Sequence, residues 1–145
     1  MSSVLESLKY KRGELFVIDQ LKLPNELDYI QILNSENAWE VIRSMQVRGA
    51  PLIAIVAALG LAVDAFNSKH LFATTEEARS FLLQNIEHLR TSRPTAVNLF
   101  VATDELTEII NRHSSLPDAS SQSLISSYID AAESMLEKDV LTNKR

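Results

Sequence analysis

Two short turns each combine a single arginine with a proline and small residues at the start of an apolar segment. The first reads Val-Arg-Gly-Ala-Pro at residues 47–51, and the second reads Ser-Arg-Pro-Thr-Ala-Val-Asn at residues 92–98. No charged residue follows Arg48 or Arg93 for at least ten positions. Proline is well tolerated at the first position of a helix, so each turn is expected to begin one. A guanidinium beside the free N–H groups of a helix start is a common way to hold a phosphate.

The first turn has a further property that suits an anion. Gly49 and Ala50 carry little or no side chain, so a phosphate could approach their N–H groups closely. Arg48 and Arg93 would add charge-assisted hydrogen bonds of about 1.5–3 kcal/mol each. The alternative is an ordinary pair of helix starts whose arginines are solvated or paired with carboxylates of the protein. The two alternatives differ in whether the two turns lie close together in the folded protein.

Other residue types offer less chemistry. The three histidines, His70, His88 and His113, are scattered without the spacing of metal ligands, and no Ser/His/Asp triad is apparent. The absence of cysteine excludes a disulfide framework, a thiolate zinc site and a cysteine nucleophile within this sequence. We therefore predict no metal site. Glu133, Glu137 and Asp139 are expected on the solvated outer face of the last helix.

Composition narrows the class of protein. The 145 residues suit one domain with a sizeable core, and 19 acidic residues outnumber 14 basic ones. Because no basic stripe is present, nucleic acid is not an expected partner. The start of the sequence lacks the pattern of a signal peptide, which favours the cytoplasm, with the nucleus as a second location. The uncharged stretch 49–63 is too short for a membrane span and predicts a buried helix instead.

The pattern of apolar residues predicts an α+β fold over a single domain, residues 1–145. Residues 1–33 form a strand-rich unit, with strands at 8–11 and 14–18 around a turn and a third strand at 27–33. Residues 34–145 form a helical bundle. The prediction is therefore a small antiparallel β unit followed by helices.

Helix starts and apolar stripes locate the helices within that bundle. Asn34 or Ser35 can cap a first helix whose stripe extends to Met45. Thr74 with Glu77 three residues later matches a capping box. A further helix is expected to open at Pro94. Tyr128 falls on the apolar stripe of the last helix, and Trp39 falls on that of the first. Both side chains are expected in the core.

At its two arginine turns the sequence resembles the methylthioribose-1-phosphate isomerases, the aldose–ketose isomerases of methionine salvage. The resemblance extends over the whole chain. It is carried by residues 10–21, 38–43, 45–51, 92–98 and 135–139. Translation initiation factor 2B regulatory subunits, which are binding proteins, and ribose-1,5-bisphosphate isomerases are relatives in the same superfamily. An inactive helical interaction fragment is the alternative from a different class.

The resemblance implies that Arg48, Gly49, Ala50 and Arg93 bind the substrate, a sugar phosphate. It implies conversion of 5-methylthioribose 1-phosphate to methylthioribulose 1-phosphate without a cofactor, by a homodimer. Family members have a second, Rossmann-like domain that carries a catalytic cysteine and aspartate. We expect that domain to be missing here, no catalytic residue to be present, and the isolated 145-residue chain to be inactive.

Overall fold

Within the part of the chain that the structure describes, three strands precede five helices. The computed structural model describes residues 8–22, 25, 28–47, 49–93 and 96–143, with the backbone alone for residues 50 and 139–143. The elements are β1 (Leu8–Lys11), β2 (Glu14–Ile18), β3 (Tyr29–Ile32), α1 (Ser35–Arg43), α2 (Ala50–Ser68), a 3-10 turn (Lys69–Leu71), α3 (Thr75–Arg90), α4 (Val97–Ser114) and α5 (Ser121–Asn143). The predicted α+β class is confirmed.

The strands form one antiparallel sheet in the order β1-β2-β3. Leu8 pairs with Val17, and Leu15 pairs with Ile32, so these four apolar side chains share one face and are buried. Gly13, at φ +89°, closes the hairpin between β1 and β2, where a side chain would be strained. This sheet packs its apolar face on the helices.

Helix α2 lies at the centre of the helical bundle. By length and composition the segment Pro51–Leu71 is the one described helix that could cross a membrane, but 72% of its apolar window is buried inside the protein. It contacts each of the other four helices. The predicted buried helix is therefore confirmed. Its one charged residue, Asp64, accepts hydrogen bonds of 3.0 Å from both the N–H and the hydroxyl of Ser35 at the start of α1.

The predicted helix caps form as expected. The Asn34 side chain accepts from the N–H of Asn37 at 2.8 Å. Thr74 and Glu77 complete a reciprocal capping box at the start of α3.

Tyr128 is buried, and its hydroxyl donates to the Ala58 carbonyl at 3.0 Å. Burial raises the pKa of that hydroxyl.

The predicted end of α1 is wrong, and the starts of α2 and α4 differ from the predicted ones. Met45 lies beyond the end of α1, in the left-handed region at φ +66°, because the chain reverses there to reach α2. Pro51 is the second residue of α2, not the first. Helix α4 begins at Val97, since Ala96 is extended and its N–H bonds to the Arg93 carbonyl at 2.9 Å. Pro94, the predicted start, lies outside the described residues.

Glu133 is half-buried and paired with other side chains, contrary to the expectation of a solvated position. Its carboxylate accepts from Arg12 at 2.7 and 3.1 Å and from the Tyr10 hydroxyl at 2.6 Å. Arg12 also bonds to Asp130 at 2.9 Å. The hydrogen bonds from Arg12 hold the pKa of Glu133 below its ordinary value against the opposing effect of partial burial, and the Tyr10 bond lowers it further. The hairpin is thereby attached to α5.

Candidate phosphate-binding site

The turn before α2 ends in an open helix start. Gly49 is the N-cap, at φ +96° and ψ +130°, and it is exposed; apart from its chain neighbours, no heavy atom of the described residues lies within 4 Å of where a Cβ would stand. Its carbonyl accepts from Ile53 at 3.0 Å. No described side chain caps the helix, and its first turn contains no acidic residue. The start of α2 thus has the positive end of its dipole accessible to an anion. Arg48 lies outside the described residues, and of Ala50 only the backbone is described.

The turn before α4 has the same features. Ala96, the N-cap, makes no side-chain hydrogen bond to the helix, and the first turn of α4 also lacks acidic residues. Arg93 is half-buried and lies three residues before this N-cap. Both predicted turns therefore precede helices whose own first turns contribute no carboxylate.

Side-chain hydrogen bonds fix the segment that leads to Arg93. The indole N–H of Trp39 donates to the Thr91 hydroxyl at 2.9 Å, and that hydroxyl donates to the His88 carbonyl at 2.6 Å. Ser92 is fully buried, and its hydroxyl donates to the Leu89 carbonyl at 2.6 Å. The Trp39 ring also stacks on the His88 ring, with 5.2 Å between the ring centroids. Trp39 is thus half-buried against the end of α3 and is not wholly a core residue.

Arg93 and the exposed Arg43 differ from the other described arginines, because no ion pair of their side chains occurs among the described residues. Arg12, Arg79, Arg90 and Arg112 each pair with a carboxylate. Asp104, the first acidic residue after the turn, binds Arg90 at 2.6 Å. Within the part of the chain that the structure describes, the Arg93 side chain makes no hydrogen bond or ion pair. Among described residues, then, the alternative of a protein carboxylate as its partner is not realised.

One cleft of about 370 Å³ adjoins the starts of both helices. It is lined by Pro51, Ala54 and Ile55 of α2, by Asn98, Val101, Ala102 and Glu105 of α4, and by Met135 and Lys138 of α5. Val101, in the α4 wall, is 51% exposed, and the lining mixes apolar side chains with the polar or charged Asn98 and Glu105. Lys138 adds a cation to the lining. The fold brings the helices that follow the two turns to a common cleft.

Sequence reasoning missed the groups that hold these turns in place. Asp19 and Gln46 support the first turn, and Thr91 with Trp39 supports the second. None of these contacts follows an apolar periodicity, which is why periodicity did not identify them. Among the described residues no group of three or more His, Cys, Asp or Glu side chains is placed to hold a metal.

The sequence matches a known protein family over most of its length. A family model described as the initiation factor 2 subunit family matches residues 46–145. The chain belongs to this family.

Individual relatives show which members of this family the chain resembles. The chain is 46% identical to the methylthioribose-1-phosphate isomerase of Ricinus communis and 46% identical to that of Zea mays. Each match covers 99% of this chain but 37% and 38% of the relative, respectively. The chain thus spans a little over a third of the length of these relatives. The resemblance to methylthioribose-1-phosphate isomerases is confirmed.

Two solved structures share the fold. The crystal structure of 5-methylthioribose 1-phosphate isomerase from Pyrococcus horikoshii OT3 matches with a TM-score of 0.82 and 32% identity, over 91% of this chain and 36% of that one. Subunit delta of translation initiation factor eIF-2B from A. fulgidus matches with a TM-score of 0.79 and 32% identity, over 92% of this chain and 37% of that one. In sequence the two plant isomerases are more similar to this chain than the initiation-factor subunit is.

Proposed function

We propose that this chain provides the phosphate-binding half of a methylthioribose-1-phosphate isomerase active site. In this proposal Arg48 and Arg93 hold the phosphate of 5-methylthioribose 1-phosphate, together with the N–H groups of Gly49 and Ala50. The observation that supports it most directly is the half-buried Arg93 side chain, which forms no ion pair with a described residue and precedes an uncapped helix start. The names of the similar plant proteins support the choice of substrate.

The chemistry that these groups supply is binding and orientation. Two guanidinium groups and helix N–H groups stabilise a dianionic phosphate and fix the sugar relative to it. Isomerisation also needs an acid and a base that move protons on the sugar. Since the four proposed residues include neither, the 145-residue chain alone is expected to bind the sugar phosphate without turning it over. The homodimeric state remains a prediction of the resemblance, and the cytoplasmic location remains a prediction from the sequence.

The experiment is a binding measurement with single variants. Arg48→Ala and Arg93→Ala should each weaken binding of the sugar phosphate about 10- to 150-fold, the equivalent of one charge-assisted bond. Arg112→Ala is the matched control, because Arg112 lies at the far end of α4 and pairs with Glu108. Isothermal titration calorimetry gives the dissociation constants. Unchanged affinity in both turn variants would contradict the phosphate site, and measurable turnover by the purified chain would contradict the expected inactivity.

A further inference from the structure

The segment between α1 and Gly49 contains a backbone conformation that requires support. Met45 is the single non-glycine residue with positive φ among those described. A residue with a side chain in this region is strained by roughly 1–2 kcal/mol, and such strain persists only where the surroundings determine it. Met45 lies four residues before Gly49, so whatever holds it also sets the direction in which the chain enters α2.

The support comes from Gln46, which is bonded through both its backbone and its side chain. Its carbonyl accepts from the Gln20 N–H at 2.8 Å, and its side-chain amide donates to Asp19 Oδ2 at 3.1 Å. The amide oxygen accepts from the Ser44 hydroxyl at 2.8 Å. Val47 follows with its N–H on the Val41 carbonyl at 3.1 Å. Gln46 is therefore the link between the loop after β2 and the turn before α2.

Asp19 is the fixed end of this link. It is 4% exposed, and its Oδ1 accepts from the Leu21 N–H at 3.1 Å. Its own N–H donates to the Asp28 carbonyl at 2.8 Å, which ties it to the chain just before β3. A buried carboxylate is unfavourable unless hydrogen bonds replace its water. Here those bonds come from Leu21 and Gln46, so removal of either partner leaves the other group unsatisfied.

We propose that Asp19 is a positioning residue that acts through Gln46 to hold the turn carrying Arg48 and Gly49 in its phosphate-binding conformation. Asp19 itself touches no ligand in this proposal. Its consequence for phosphate binding rests on the proposed function, whereas its consequence for the conformation of the turn does not.

The first test measures the turn without any ligand. Amide hydrogen exchange, followed by NMR on the 145-residue chain, reports the Val47 and Ile53 N–H groups, whose acceptors are Val41 and Gly49. Asp19→Ala should speed exchange at both about five- to tenfold, as expected for the loss of one supporting hydrogen bond. Gln46→Ala, which leaves the buried carboxylate in place, should do the same and provides a second variant should Asp19→Ala not fold.

The matched control lies in the same loop. Asp28→Ala removes an exposed carboxylate that pairs with Lys22 at 2.7 Å, and it should leave exchange at Val47 unchanged. The double variant Asp19→Ala/Gln46→Ala should be no faster than the faster single variant, because both act through one bond. The proposal is wrong if Val47 exchanges no faster in Asp19→Ala and Gln46→Ala than in Asp28→Ala. It is also wrong if the effects of the two single substitutions add fully in the double variant.

The second test uses inorganic phosphate as the probe. Asp19→Ala and Gln46→Ala should weaken phosphate binding about threefold or more, while Asp28→Ala should not, although all three lower the unfolding midpoint to some degree. Tight binding by the parent chain with equal affinity in Asp19→Ala would overturn the positioning role. Absence of phosphate binding by the parent chain would instead contradict the proposed function, and the exchange measurement would still decide whether Asp19 holds the turn.

Discussion

The hydroxyl of Tyr10 donates a 2.6 Å hydrogen bond to Glu133, and this contact joins the first strand to the last helix across 123 positions of sequence. Arg12 binds the same carboxylate through two further hydrogen bonds. The β hairpin is thus held against α5 by a shared anion as well as by the apolar face of the sheet. Glu133 is 26% exposed, so its interactions are only partly screened by water.

Glu133→Gln should destabilise the fold by about 1–2 kcal/mol at pH 7, since it replaces charge-assisted hydrogen bonds with neutral ones at a partly exposed site. Urea unfolding followed by circular dichroism measures the difference. Glu137→Gln, an exposed neighbour on the same helix, is the control and should change stability by less than about 0.5 kcal/mol. Equal effects of the two substitutions would show that the Tyr10–Arg12–Glu133 contacts do not stabilise the protein.

The difference between the parent chain and Glu133→Gln should also depend on pH. The pKa of Glu133 is lowered in the folded state from an ordinary value of 4.5. A carboxyl with a lowered folded pKa contributes stability that is fully present above its unfolded pKa and is lost as pH falls through the folded pKa. The difference should therefore be constant from pH 7 to about 5 and shrink at lower pH. Unfolding midpoints measured along this range test the sign, and a difference that grows on acidification would contradict it.

Gly60→Ala should destabilise the contact between α1 and α2. A Cβ at Gly60 would lie 2.5 Å from the Ala38 Cβ and 3.5 Å from Ile32 Cγ2. Overpacking of a filled core costs about 1–3 kcal/mol, which exceeds the gain of up to about 1 kcal/mol from better helix propensity. Thermal unfolding provides the measurement. The double variant Gly60→Ala/Ala38→Gly should recover part of the loss, and a Gly60→Ala chain as stable as the parent would mean that the two helices are further apart.

Tyr128→Phe should lower stability by about 1 kcal/mol, because it removes a buried hydroxyl that donates to the Ala58 carbonyl. Tyr29→Phe is a suitable control: Tyr29 is half-buried, and no hydrogen bond of its hydroxyl occurs among the residues that the structure describes. Denaturant titration of both variants compares them directly. A larger loss for Tyr29→Phe would contradict the assignment of the core hydrogen bond.

Local patterns predicted much of the fold. Alternation and glycine identified β1 and β2, and the Thr74–Glu77 capping box identified the start of α3, because these signals lie within a few residues of one another. The apolar spacing of Met45 predicts that this residue belongs to α1, which is wrong. Its side chain fits that spacing, but the tertiary link from Gln46 to Asp19 reverses the chain at that point.

The candidate site was predictable in part for the same reason. Arg93 and Gly49 belong to short strings with recognisable residue types, so sequence alone singled them out. Glu133 was expected in water because the residues that bind it, Tyr10 and Arg12, are more than 120 positions away. The Asp19–Gln46 contact is likewise a product of the folded arrangement, and no local pattern of either residue encodes it.

The burial of α2 by all four other helices has a consequence for synthesis on the ribosome. This apolar helix is made before α3, α4 and α5, which all contact it, so its covering is complete only after α5 has emerged from the ribosome. Domains generally fold as units during synthesis, and uncovered apolar surface favours aggregation. A chain interrupted before α5 should therefore depend on chaperones to stay soluble, and the last helix acts as the step that closes the core.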